Sequence, residues 1–167
     1  MGRIERVVVR ILEWWAGLLL VTMVVVVTAG VFYRYVLDAA LVWYDEFASY
    51  LLVWLTFYGA VLATQRDVHI EFDTAVRRLA PGLRRAVEAV SALCTLAFHG
   101  ILFAYGIVLT RSMGAETAIS LPWVKMAWVY SVLPISGALM LLFTLVGLAR
   151  RSRGTAPEEG RVETEVA

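Results

Sequence analysis

The stretch RYVLDAALVWYDEF, from Arg34 to Phe47, sets adjacent acids, Asp45 and Glu46, at the threshold of an apolar run, with Asp38 between them and Arg34. Carboxylates so placed must answer to water, to a lipid head group or to another protein. The other side chains able to do chemistry are sparse. His99 lies well inside an apolar run and His69 in a polar connection, so a haem held by two histidines at matching depth finds no second ligand. A neutral His99 satisfied by a neighbouring helix is the expected arrangement. Cys94 is the single cysteine; with no CxxC pattern and no intrachain partner, it reads as a small buried hydrophobe. The chain has no nucleophile-and-base pair, no phosphate-cradling glycine loop and no metal-ligand spacing. These residue types point away from catalysis and from a resident cofactor or metal.

The elements that must position the acids follow from composition. Of 167 residues, 60% are hydrophobic and 17% charged, with a mean hydropathy of +0.74. A water-soluble domain of this length needs far more polar surface. The apolar residues cluster in charge-free runs at Trp14–Tyr33, Phe47–Gln65, Ala89–Thr110 and Met126–Ala149. Each is long enough to cross roughly 30 Å of hydrocarbon as a helix. Backbone polar groups in lipid must be satisfied internally, so helices are the economical solution. The expected fold is an all-α integral membrane protein with four transmembrane helices, near 11–33, 46–65, 83–110 and 122–149. The first run is too long for a signal-peptide core and lacks a small-residue cleavage site, so it is read as an uncleaved helix. A net charge of +1 gives no reason to expect a nucleic acid partner.

Basic residues set the orientation. Arg3, Arg6 and Arg10 precede the first helix, Arg66, Arg77, Arg78, Arg84 and Arg85 lie between the second and third, and Arg150, Arg151, Arg153 and Arg161 follow the fourth. The opposite side receives Arg34, Arg111 and Lys125. Both termini and the central connection are expected in the cytoplasm, and Asp38, Asp45, Glu46 and Glu116 outside. Within FDTAVRRLAPGLRRAVEAV, Phe72, Ala75, Val76 and Leu79 recur at helical spacing behind Asp73, a candidate N-cap. A short interfacial amphipathic helix near 73–80 is expected, with Arg77, Arg78, Arg84 and Arg85 among lipid head groups. Pro122 suits the first turn of the fourth helix. Pro134 should kink it, with Ser131, Ser136 and Gly137 satisfying freed backbone groups or allowing close packing. The polar tail from Ser152 reads as disordered.

On the second helix, Trp43, Glu46, Tyr50, Trp54 and Phe57 form an acid-headed aromatic stripe at three- and four-residue spacing. Such a stripe serves equally inside a helix bundle or at a permanent protein interface. No carboxylate or basic residue lies at the middle of any run. A transport path usually declares itself by such residues. A partner-dependent membrane subunit is therefore the leading expectation. A respiratory or redox membrane anchor and a small oligomeric channel are the alternatives.

Three stretches make the chain similar to a known family, the small membrane subunit of tripartite ATP-independent periplasmic (TRAP) transporters. FYRYVLDAALVWYDEFASYLLVWLTFYGA resembles that family's Arg-Tyr, Trp-x-acid-acid and Trp-Leu-Thr-Phe order, with Asp45-Glu46 in place of the usual paired glutamates. RDVHIEFD carries Arg66, His69, Ile70 and Asp73 in an Arg-x-x-His-Ile-x-x-Asp pattern, and SLPWVKMAWVYSVLPISGALMLL is similar to the last helix with its two prolines. The resemblance implies a subunit of the bacterial inner membrane without a transport site of its own. Its implied partners are a large many-helix subunit that carries substrate and sodium, and a periplasmic solute-binding protein that delivers an organic acid. It also implies an interface at the outer end, where Arg34, Trp43, Asp45, Glu46, Tyr50, Trp54 and Phe57 are the candidates. There Arg34 is expected to pair with one acid, and Glu46 to face a partner. Arg66, His69 and Asp73 would organise the cytoplasmic turn, Asp73 as a cap and His69 as a hydrogen-bonding strut. The small subunit of tripartite tricarboxylate transporters shares this logic but not this order of motifs.

Overall fold

The computed structural model describes residues 3–39, 41–67 and 81–152. Five helices follow one another: α1 (Arg3–Val36), α2 (Tyr44–Asp67), α3 (Pro81–Ser112), the short α4 (Met126–Tyr130) and α5 (Val132–Ser152). α1, α2 and α3, together with α4 and α5 taken as one span, are long and apolar enough to cross a membrane. α1, α2 and α3 overrun their apolar runs at both ends because nothing in the flanking charged residues breaks a helix. At 34 residues α1 is about 51 Å long, well beyond the hydrocarbon thickness. Glu5 in its first turn and Arg34 in its last complement the helix dipole. Pro81 opens α3, where its missing N–H would be unpaired in any case. The expected interfacial helix near 73–80, with His69, Asp73, Arg77 and Arg78, and the tail after Ser152 lie outside the described residues.

The helices pack side by side in the order α1, α2, α5, α3 and do not close into a bundle. α2 is buried against α1 on one flank and α5 on the other. The core between them comprises Leu12 and Leu19 from α1, Tyr58 and Val61 from α2, and Val132, Met140 and Phe143 from α5. α3 forms the far edge. Two glycines bring it against α5: a Cβ at Gly106 would stand 2.7 Å from the Pro134 nitrogen, and one at Gly137 would stand 2.8 Å from the Phe103 nitrogen. Small residues at such positions let helix backbones approach closely. His99 on α3 is buried, and its Nδ1 lies 3.2 Å from Thr144 Oγ1 on α5. Cys94, expected to be buried, is exposed. The cause is architectural, because α5 covers only one side of the edge helix.

Pro122 does not begin a helix. It takes the second position of a turn in which the Val124 N–H bonds to the Leu121 carbonyl at 2.8 Å, a place its fixed φ suits as well as a helix start. Residues 113–125 form a compact loop before α4, its neck closed by the Met126 N–H on the Glu116 carbonyl at 2.9 Å. The break expected at Pro134 falls at Ser131, between α4 and α5. Ser131 and Ser136 hydroxyls donate to the Trp128 and Leu133 carbonyls there.

Candidate functional site: the clasp at the start of α2

The acids that open α2 sit at the end of the row where α1 turns into α2 and α3 turns into α4. Two residues beyond α1, Asp38 lies in the left-handed region with φ 49°, a conformation Asp tolerates better than most residues. The following N–H, of Ala39, returns to the Tyr33 carbonyl at 3.1 Å. Gly30 on α1 lies under the Tyr44 ring, and any Cβ there would overlap it. This packing sets the first turn of α2, and with it Asp45 and Glu46, beside the loop 113–125.

Glu46 is the hub of that contact. Its Oε2 accepts the Ser120 N–H at 2.6 Å and its Oε1 accepts the Ile119 N–H at 3.0 Å. The Tyr50 hydroxyl, one turn along α2, also donates to Oε1, and Met126 Sδ lies 3.4 Å from that hydroxyl. One carboxylate thus gathers two backbone donors from a loop more than seventy residues away. Charge-assisted bonds of this kind are stronger and more directional than neutral ones. Both N–H groups point inward, and the loop tip turns its apolar side chains out: Ile119 is 94% exposed and Trp123 77%.

The stripe continues the clasp inward. The Trp54 indole N–H donates to the Val129 carbonyl at 3.0 Å, just before the helix break. Its ring meets Tyr58 edge-on at 6.1 Å, and Phe57 packs against the core. The hydrogen bonds of the stripe are made within the chain: Glu46, Tyr50 and Trp54 fasten α2 to the loop and to α4. Trp43 at the head is exposed and stacks edge-on with Phe47 at 6.3 Å. Trp54→Phe keeps the ring edge contact and removes the donor, leaving a carbonyl unpartnered beside the break. This substitution is expected to destabilise the fold by about 1 kcal/mol, read as a lowered unfolding midpoint of the purified full chain.

The remaining sequence candidates do not join the clasp. Arg34 was expected to pair with an acid, but its guanidinium lies 5.8 Å over the Tyr35 ring, and it makes no ion pair among the described residues. The left-handed turn at Asp38 carries the chain away from the end of α1, so Arg34 does not meet the acids. Asp45 is exposed beside Glu46. Arg84 at the opposite end pairs with Glu88 at 2.8 Å, one turn on; Arg66 and Arg85 fall within α2 and α3. What sequence reading missed is the other half of the clasp. Two main-chain N–H groups carry no residue signature, and only Pro122 advertised that a shaped turn stood nearby. Among the described residues no three His, Cys, Asp or Glu side chains gather as a metal site. The arrangement can hold a loop in a fixed shape.

Residues 23–154 match the family described as tripartite ATP-independent periplasmic transporters, DctQ component. Over 129 residues the chain is 22% identical to the sialic acid TRAP transporter permease protein SiaT of Haemophilus influenzae (strain 86-028NP). That match covers 77% of this chain and 21% of the relative, so the chain spans about one fifth of the relative's length. Four membrane-length helices fit a small permease subunit. The chain belongs to the DctQ-component family of tripartite ATP-independent periplasmic transporters.

Proposed function

We propose that this chain is the non-catalytic brace of a three-part importer of the bacterial inner membrane. It holds a large, many-helix subunit in place while that subunit carries an organic acid, captured outside by a periplasmic solute-binding protein and driven inward by the sodium gradient. The observation that carries this reading is the open row of helices. Helices laid side by side enclose no path between them, and they leave long apolar faces for lipid and for a larger neighbour, as at Val21, Leu93 and Tyr105. The distribution of arginines supports cytoplasmic termini and an outward-facing clasp. In this reading the partner-facing residues are the exposed Arg34, Trp43 and Asp45. Glu46, Tyr50, Trp54 and Phe57 serve the interface indirectly, by shaping the loop that carries Ile119 and Trp123. Arg66, His69 and Asp73 shape the cytoplasmic turn, and Arg77, Arg78, Arg84 and Arg85 meet head groups.

A mild-detergent pull-down of the tagged chain from native membranes tests the proposal. A larger polytopic protein in stoichiometric amount is expected, without a haem band in the visible spectrum. Deleting the chain is expected to reduce sodium-dependent uptake to background for one member of a panel of labelled dicarboxylates, keto acids and sugar acids. Sialic acid belongs in that panel because it is named for the relative. A chain that purifies alone, or with haem, would overturn the reading.

A further inference from the structure

We propose that the groove between α1 and α5 binds an anionic phospholipid of one leaflet, with its head group on Arg6 and Arg10. The two outer helices of the α1–α2–α5 step each pack on α2 rather than extensively on one another, and the cleft between them has a volume of about 1100 Å³. That is just above the ~300–1,000 Å³ typical of sites for drug-sized ligands. Trp14 and Trp15 on α1, Tyr58 on α2 and Ile135 on α5 line it, and Arg6 and Arg10 stand at one end. The charges are therefore segregated: guanidinium groups at the mouth, aromatic and aliphatic side chains along the rest.

Length argues for a lipid over a compact anion. The groove runs along α1 from Arg6 to Leu18, twelve residues or about 18 Å of helix. One leaflet with its head-group layer is about 20–22 Å, so a groove with its arginines at the mouth has roughly the length of a single lipid. Charge argues for an anionic head group. Neither Arg6 nor Arg10 makes an ion pair among the described residues, and the neighbouring acids Glu5 and Glu13 do not line the groove. Two planar donor forks one helical turn apart suit a phosphodiester. A basic pocket between membrane helices at head-group depth is the arrangement that recognises anionic lipids. Trp14 and Trp15 add the amphipathic rings that favour the same interfacial level. This inference needs the chain to lie in a membrane and does not depend on which solute, if any, its complex carries.

The test is native mass spectrometry of the full chain released from vesicles of equal parts phosphatidylglycerol and phosphatidylcholine. Wild type is expected to retain one phosphatidylglycerol in preference to phosphatidylcholine. R6Q/R10Q is expected to lose that preference by about twenty-five-fold, each guanidinium near the surface being worth roughly a factor of five. Arg111→Gln, at the other end of α3, removes the same charge and should change nothing. Ile135→Trp fills the groove while keeping both arginines, and is expected to release the lipid from a chain that still elutes as a single folded species. Equal retention by wild type and R6Q/R10Q, retention by Ile135→Trp, or retention without head-group preference would each overturn the assignment. So would a purified complex in which the groove variants lose a protein partner while the lipid count stays unchanged.

Discussion

Leucine in place of Gly137 is expected to detach α3 from α5 and to leave little folded chain in the membrane. The argument is geometric. A Cβ at Gly137 would stand 2.8 Å from the Phe103 nitrogen and 2.9 Å from its Cα, and one at Gly106 would stand 2.7 Å from the Pro134 nitrogen and 3.0 Å from the Leu133 carbonyl carbon. The obstructing atoms are backbone in both cases, so no rotamer change relieves them. The two contacts are reciprocal: each glycine of one helix faces the main chain of the other, about one turn apart. Widening either one separates both, and with them the buried pairing of His99 with Thr144. Overpacking in a core that can adjust typically destabilises by about 1–3 kcal/mol. Here leucine is expected to reach at least the top of that range, since α3 packs extensively on no other membrane-length helix. Gly137→Ala should already be measurably harmful. Gly59→Leu is the matched control, because a Cβ there meets nothing within 4 Å. Thermal unfolding and monodisperse yield of the purified chain separate the cases. If Gly137→Leu behaves like Gly59→Leu, the α3–α5 contact is not what holds the edge helix.

The contrast between these glycines shows where sequence reading stops. Four spans were legible because membrane length and apolarity are local properties, and each run carried both. The row was not. Gly59, Gly106 and Gly137 are alike in sequence, yet two lie against a neighbouring backbone and one faces open space. The helix break was announced by Pro134 and its serines, though it settled three residues earlier, at Ser131. Pro122 misled because its fixed φ satisfies a turn and a helix start equally. Asp45 and Glu46 were legible as helix-opening acids with a purpose. That Glu46 finds hydrogen-bond donors in a distant loop of the same chain was not, since those donors are main-chain groups that any residues could have supplied.

Glu46→Ala is accordingly expected to open the loop 113–125 even in the isolated chain. The substitution removes the acceptor for the Ile119 and Ser120 N–H groups and for the Tyr50 hydroxyl at one stroke. It also removes a charge that favours the first turn of α2. Water can reach part of the site, so the donors are not stranded, but nothing else among the described contacts replaces the link from α2 to the loop tip. The loop's own closure, through the Glu116 carbonyl and the turn at Pro122, is then left without its anchor. Tryptic cleavage at Lys125 measures this directly, because cleavage tracks the population of the open form when opening and closing are fast. An increase on the order of tenfold is expected for Glu46→Ala, and a smaller one for Tyr50→Phe, which removes a single donor. The comparison that decides the role of Glu46 is between chain and complex. An internal clasp predicts faster cleavage in the isolated chain and, as a consequence, weaker assembly with the proposed large subunit. A carboxylate reserved for a partner predicts the reverse pattern: assembly lost while cleavage of the isolated chain stays at the wild-type rate. That second pattern would remove the clasp from the account and return Glu46 to the interface.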